Sequence, residues 1–463
     1  MAGLLAAQAL STHVDHVTVI ERDVPGNKPE PRKGAPQGRH IHALLARGAR
    51  ILERLLPGLQ DDLGAAGAPL VDWIGDSCVS NQFGAMPRFT SDLRTRACSR
   101  PLLEFVIRNR VLQNPRVTFQ METDAWQLVT TDDHARVIGV NLRHRATGAL
   151  STLLADLVVD ASGRSSKAFE WLAALGLTPP TEQVVNSALA YASRVVRMPA
   201  DFKPDFKLLI QRIRPPHGRR GGGMYLIENN TWMVTLGGAK DEQPPLEDSG
   251  FIEFARQLDP NLITPNASSS APLLHDLLAR SEPLTPIVGY QRTENRWRHF
   301  EELDRMPAGF VLVGDAVCAF NPVYGQGMST AAMGAELLQK WVADGGPAKV
   351  NGTRAFQKSL ANLVRTPWLL ATGEDARAVG IVDRTPAVRF NHAYIDALLG
   401  LTTSNHKICK AFLDVAHLVK PPASLFAPGI ALPVLIRMVV TTASKRSKSS
   451  PRPTKAVALV PVS

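Results

Sequence analysis

The residues best equipped for chemistry are grouped between 310 and 330. An apolar run, Phe310-Val311-Leu312-Val313, stops at Gly314-Asp315-Ala316 and passes through Asn321-Pro322. It then reaches Gly325-Gln326-Gly327-Met328-Ser329-Thr330, ahead of a helix-patterned stretch from Ala331 to Trp341. Read as strand, loop and helix, this order sets the Asp315 carboxylate at a strand end, where it accepts hydrogen bonds from ligand hydroxyls. Gly314 and Gly325 let the backbone approach a bound group closely. The first N–H groups of the helix, near Gly327 and Met328, lack intrahelical acceptors and receive negative charge. The set suits a polyol chain lying on an anion-receptive helix start. Two glycines beside a helix also make ordinary loops; the whole run in one order carries the signal.

Two further groups repeat the pattern of a carboxylate at a strand end. Ala155 to Asp160 reads as a buried strand closing a meander that begins at Val137, and Ala161-Ser162-Gly163-Arg164 follows. The small residues open a loop for a phosphate or ribose, or make a plain surface turn. Near the start, Met1 to Leu10 has a helix pattern, and His16 to Asp23 is a short β-branched strand ending in Glu21-Arg22-Asp23. In a dinucleotide-binding βαβ unit the second strand ends in an acidic residue that bonds the ribose hydroxyls, with glycines about 20 residues earlier. Gly3 lies 18 residues before Glu21, where the third glycine of G-x-G-x-x-G belongs. The first strand and first two glycines of such a unit would precede Met1, so the sequence reads as starting at an internal methionine. The same residues also fit a chance helix followed by a chance strand.

Composition bounds the rest. The chain has 463 residues, 44% hydrophobic and 20% charged, enough for two or three domains with large cores. Its four cysteines, Cys78, Cys98, Cys318 and Cys409, form no C-x-x-C pair. A disulfide scaffold and a zinc site are both unsupported, and a reducing, cytoplasmic setting is expected. His40 and His42 have no carboxylate or cysteine partner at ligand spacing, so no metal site is expected. The net charge is +10, of which five belong to Lys445, Arg446, Lys448, Arg452 and Lys455 in residues 441–463, which hold no acid and read as a disordered tail. No recognition motif accompanies the charge, so nucleic-acid binding is not expected. Leu425 to Val440 is apolar but broken by Pro428, Gly429, Pro433 and Arg437, too short for a span of about 20 apolar residues. It either packs on the body, the favoured reading, or lies on a membrane, with contact through 425–455.

Taken together, these residues resemble the FAD-dependent monooxygenases of the para-hydroxybenzoate hydroxylase superfamily, most nearly its epoxidase-like and hydroxylase-like branch, over roughly residues 1–375. The resemblance implies an α/β fold: an FAD-binding Rossmann-like domain of glutathione-reductase type, its first strand missing, with an inserted β-sheet substrate domain and C-terminal helices. The expected partition is 1–75, 99–185 and 299–375 for the FAD domain and 76–98 with 186–298 for the substrate domain. Residues 376–440 are expected to be helical, with Ala387–Leu401 and Lys407–Val419 amphipathic.

The resemblance also implies site residues. Gly3, Glu21 and Arg22 match the first nucleotide motif, and Arg39 in Gln37-Gly38-Arg39-His40 matches a loop near the flavin. Arg100 matches a helix start that contacts FAD. Asp160 and Gly163 match the second motif, and Gly314, Asp315, Pro322, Gly325, Gln326, Gly327 and Met328 the third. His40, Tyr225, Trp232 and Met233 are substrate candidates, no catalytic side chain is assigned, and any large residue on a sheet face is more often core. The implied reaction uses NAD(P)H as a transient reductant of FAD, and a flavin C4a-hydroperoxide gives one atom of O₂ to an aromatic or olefinic, lipophilic small molecule. Tryptophan-type halogenases share the fold but carry Trp-x-Trp, and no two tryptophans here are two residues apart. The motifs also admit a flavin-dependent prenyl reductase, or an FAD-free binding or membrane-associated module. The basic loop Arg212–Arg220 reads as a solvated loop, or else as an entry loop.

Overall fold

The structure is a computed structural model that describes residues 1–32, 34–211, 220–239, 241–258, 274–379 and 385–449. Four short parallel strands form two pairs. Val17–Ile20 pairs with Val117–Gln120, and Val158–Asp160 pairs with Phe310–Leu312. Among the described residues the pairs are separate two-stranded sheets. Val17, Val19, Ile20, Val158 and Val159 are only partly covered, whereas Phe310, Val311 and Leu312 are fully buried. The buried strand expected over 155–160 is therefore corrected: it is three residues long, and Val158 and Val159 are only partly covered while Asp160 is buried. Helix Ala2–Leu10 packs on both Val17–Ile20 and Val158–Asp160 and on the long helix Gly327–Ala343. It buries Leu4, Leu5, Ala6, Ala7, Ala9 and Leu10, so its apolar residues all round are explained by a place inside the core.

The inserted sheet has a largely antiparallel order. Leu189–Arg197 lies beside Thr231–Ala239, then Arg220–Ile227, Leu208–Gln211 and Ser77–Asn81, the last two being parallel. The expected hairpin at Glu228–Asn230 is present, with Asn229 and Asn230 at φ 58° and 53°, a conformation asparagine tolerates. Alternation divides the faces. Met224, Trp232, Val234 and Leu236 pack on helices Asp248–Arg256 and Leu274–Arg280. Tyr225 and Met233, directly opposed across the strands, share the other face with Val195 and pack with Trp73, Cys409 and Leu413.

Four helices close the chain: Gly352–Val379, Pro386–Leu401, His406–Ala416 and Pro428–Ser449. Thr385 and Asn405 cap the second and third through their side chains. The last helix runs past Val440 to Ser449, so the start of the segment expected to be a disordered tail is helical. Residues 450–463, and the loop 212–219 expected to be solvated, lie outside the described residues. Among the described residues no helix is long and apolar enough to cross a membrane.

Candidate active site

The third sequence motif folds as expected and meets the other two. Gly314 has φ +64°, and a Cβ on it would stand 2.7 Å from Ala2 Cβ, so only glycine lets this turn lie against the first helix. Gly163, at φ +78°, faces Asp315 Cβ at 4.0 Å, and a Cβ on Gly327 would be 4.0 Å from Asp315 Oδ1. A Cβ on Gly3 would make ordinary 3.6 Å contact with Ala161. Glycines from the second and third motifs thus flank one carboxylate, and Gly3 lies against the second motif at Ala161. Burial raises the pKa of Asp315, opposed by the positive charges of Arg164, Arg100 and the amino terminus, and no hydrogen bond from the described residues supports its ionised form. It faces the start of helix Gly327–Ala343, whose first turn holds no acid. Gln326, at the N-cap of that helix, is buried with Oε1 unpartnered. Gly325, at φ +64°, approaches Ala43, and Pro322 opens the preceding turn. The Met328 side chain is core, in one cluster with Leu4, Leu5 and Leu44, which leaves its backbone N–H as the group expected at the helix start.

A shallow cleft nearby is lined by Lys28, Arg32, Gly38, Arg100, Glu104 and Arg108 among others. Arg32 spans it, contacting Glu21 at 3.3 Å, Asp23 at 2.9 Å and Glu104 at 2.6 Å. Arg100 pairs with Glu104 at 3.1 Å. Burial of Glu104 disfavours its charge, but the amino terminus, Arg100 and Arg32 prevail and hold its pKa at about 2. Glu21 thus sits at its strand end as expected. Arg32 and Glu104 were missed because nothing in their spacing links them. Arg22 reaches Ser165 at 3.4 Å, and Arg39 is exposed beside His40. The carboxylate expected to receive a ligand at Asp160 is instead consumed locally. It accepts Ser162 N–H at 2.8 Å and the Ser162 and Ser166 hydroxyls at 2.6 and 2.5 Å. Asp160 shapes its loop and leaves the ligand side to Gly163.

Between these motifs and the inserted sheet lies His40, 4% exposed. Its Nδ1 is 2.7 Å from Ser193 Oγ, which is 2.6 Å from Thr235 Oγ1. Its Nε2 is buried with no partner. Burial, and then the charge of Arg39, lower its pKa to about 4, so the ring is neutral near pH 7. The Tyr290 ring lies 5.4 Å away. Tyr191, Ser193, Thr235 and Tyr290 line the sheet side and were missed. Their signal was the polar residues alternating inside apolar strands. The three sheet candidates are corrected. Trp232 faces away, under the helices, beside Phe202 and Phe206. Tyr225 and Met233 are on the near face but sealed in core against Trp73 and Leu413.

Asp375, also missed, locks the Asn321-Pro322 turn. Its carboxylate accepts Asn295 Nδ2 at 2.6 Å, Asn321 Nδ2 at 3.1 Å and the Tyr324 hydroxyl at 2.7 Å. Asn321 Oδ1 in turn accepts the Tyr191 hydroxyl at 2.6 Å. The long C-terminal helix, the turn and the sheet are thereby held in one buried network. Away from the site His299, Glu301 and Glu302 lie within reach of a common cation, and a 2.9 Å His299–Glu301 contact accounts for the grouping.

Glycines beside a buried carboxylate, an acid-free helix start and a covering sheet make up the site. No family model matches the chain. It is 33% identical over 352 residues to Protein Rv3254 of Mycobacterium tuberculosis, covering 73% of this chain and 70% of that protein. It is 26% identical over 353 residues to kynurenine 3-monooxygenase of Salinispora tropica, covering 72% and 68%. Among solved structures, p-nitrophenol 4-monooxygenase PnpA of Pseudomonas putida has a TM-score of 0.59 at 17% identity, covering 91% of this chain and 96% of that one. The myxobacterial chondrochloren halogenase CndH, FAD-dependent, has a TM-score of 0.62 at 14% identity, covering 90% and 94%. The chain belongs to one family with Rv3254, and it shares the fold of the FAD-dependent halogenase CndH and of PnpA. Its residues fit FAD. Asp315 offers a carboxylate that no described residue hydrogen-bonds, the glycines leave room, and the Gly327 helix start offers amide donors.

Proposed function

We propose that this enzyme uses NAD(P)H and O₂ to place one oxygen atom on an aromatic or olefinic, lipophilic small molecule held between the Asp315 cradle and the face of Tyr191, Ser193 and Tyr290. Bound FAD supplies the redox chemistry. Asp315 and Glu21 bind its hydroxyl-bearing parts, and the Gly327 helix start holds negative charge near the ring. Arg32 and Arg100 offer cations to its phosphates once Glu104 shares them. The single observation that carries the substrate side is His40. A neutral imidazole, fixed through Nδ1 by Ser193, presents a buried, unpartnered Nε2 beside two tyrosines. A buried polar atom without a partner is costly, and a ligand group that hydrogen-bonds to it removes that cost. Tyr191 and Tyr290 add flat aromatic surface, which suits a planar or unsaturated substrate. The relative named kynurenine 3-monooxygenase supports oxygenation over double-bond reduction.

The test is turnover of a panel of aromatic and polyene compounds under ¹⁸O₂ with NADH or NADPH. A product carrying one ¹⁸O, with one reductant consumed per product, is expected. A halogenated product in the presence of halide, or a reduced product without ¹⁸O, overturns the reading.

A further inference from the structure

The last helix, Pro428–Ser449, is apolar on two sides. Ile430 and Val434 are buried, with Met438 beside them, in a cluster with Tyr394, Leu398 and Leu425. On the other side Leu432, Leu435, Ile436, Val439 and Val440 are 62%, 41%, 56%, 70% and 62% exposed. Their spacing is i, i+3, i+4, i+7, i+8, one face of an α-helix. Phe426, 52% exposed, stands just ahead of them, stacked on Tyr394. Arg437 is the one charged residue between Pro428 and Val440, and it lies against Gly400, off the stripe. The stripe therefore presents large apolar side chains and no polar group that a protein partner would have to match. The chain then turns basic, with five lysines and arginines and no acid in residues 441–463.

We propose that this stripe seats the enzyme on the surface of a membrane that carries anionic lipid. The helix lies in the interface plane, its exposed apolar face sunk among acyl chains. Lys445, Arg446 and Lys448 follow in the same helix, and Arg452 and Lys455 follow in sequence, so the stripe is continued by a basic stretch that anionic headgroups attract. Charge complementarity selects an anionic bilayer over a second copy of the chain, which would bring its own five cations to the contact. An interfacial helix needs no span, in keeping with the absence of a membrane-crossing helix among the described residues. The proposal does not rest on the oxygenation reading, and either one stands if the other fails.

Flotation of the full-length protein with phosphatidylcholine vesicles, with and without phosphatidylglycerol, tests it. The protein is expected to float with the anionic vesicles and to release as salt is raised. Replacing Lys445, Arg446 and Lys448 by glutamine together is expected to weaken binding about 100-fold, roughly fivefold per charge. Leu435→Glu with Val439→Glu is expected to abolish flotation and leave the melting temperature unchanged, since both side chains are exposed. Failure of the wild-type protein to float overturns the proposal, as does unchanged flotation of the glutamate variant. A wild-type dimer that the glutamates break, without vesicle binding, overturns it in favour of a second copy.

Discussion

His40 Nδ1 and Ser193 Oγ, 153 residues apart in sequence, meet at 2.7 Å and join the turn at Pro36–Arg39 to strand Leu189–Arg197 of the inserted sheet. The contact fixes the imidazole and leaves Nε2 buried without a partner. Replacing His40 by alanine is therefore expected to keep FAD content within about twofold while lowering substrate oxygenation at least about tenfold, the scale of one lost hydrogen bond to a reacting group. Flavin absorbance and product formation, measured on the same preparation, separate the two effects. Equal loss of both would make His40 a folding residue.

Asp315 is expected to matter for the cofactor itself. Asp315→Ala should weaken FAD about 10- to 100-fold, as loss of a hydrogen bond from a charged group does. Asp315→Asn should fall between, since it keeps an acceptor without the charge. Met328→Leu should retain wild-type affinity, because the Met328 side chain is core and its amide is the group expected at the helix start. Flavin fluorescence titration of the apoprotein gives the three constants, and full affinity in the alanine variant would remove Asp315 from the site.

The network around Asp375 predicts a stability effect. Asp375→Leu leaves the amides of Asn295 and Asn321 and the Tyr324 hydroxyl without their acceptor, at a cost of about 3–5 kcal/mol. Asp375→Asn keeps one acceptor and is expected to cost less. Urea midpoints measure both. A leucine variant as stable as the parent would mean that the turn at Asn321 is held by packing alone.

The two histidines set a pH dependence. Burial, and then Arg39 for His40 and Arg100 for His42, lower both pKa values to about 4, against about 6.5 in an unfolded chain. Between those values the unfolded chain binds the protons, so their contribution is complete above pH 6.5 and is lost as pH falls towards 4. Each histidine adds a slope of about 1.4 kcal/mol per pH unit inside that window. His40→Gln should remove one of the two slopes, which denaturation at about pH 7, 5.5 and 4.5 (chosen to bracket the window) would register. A variant with the parent's pH dependence would place the His40 ring in contact with water.

Trp232 supplies a contrast. It is 2% exposed under helices Asp248–Arg256 and Leu274–Arg280. Trp232→Ala is expected to cost about 3–5 kcal/mol in stability without changing FAD affinity or product identity. A changed product spectrum at normal stability would return it to the substrate side.

Three carboxylates at strand ends, glycines at the turns and the long helix after Gly327 were legible in the sequence, because strand ends and helix starts are local matters of residue order. So were the hairpin at Glu228–Asn230 and the helices after residue 385. Faces were not. Alternation put Tyr225, Met233 and Trp232 on known sides of their strands relative to one another. Only packing decided that Trp232 lies under helices, and that helix His406–Ala416 seals the other two. Asp160 looked identical to Asp315 in sequence, yet it spends its carboxylate on Ser162 and Ser166, while Asp315 has no such neighbour among the described residues. Arg32, Glu104 and Asp375 acquire their roles from partners far along the chain. Local backbone chemistry fixes the turns that approach a cofactor, whereas side-chain pairing and burial across the chain exist only once it is folded.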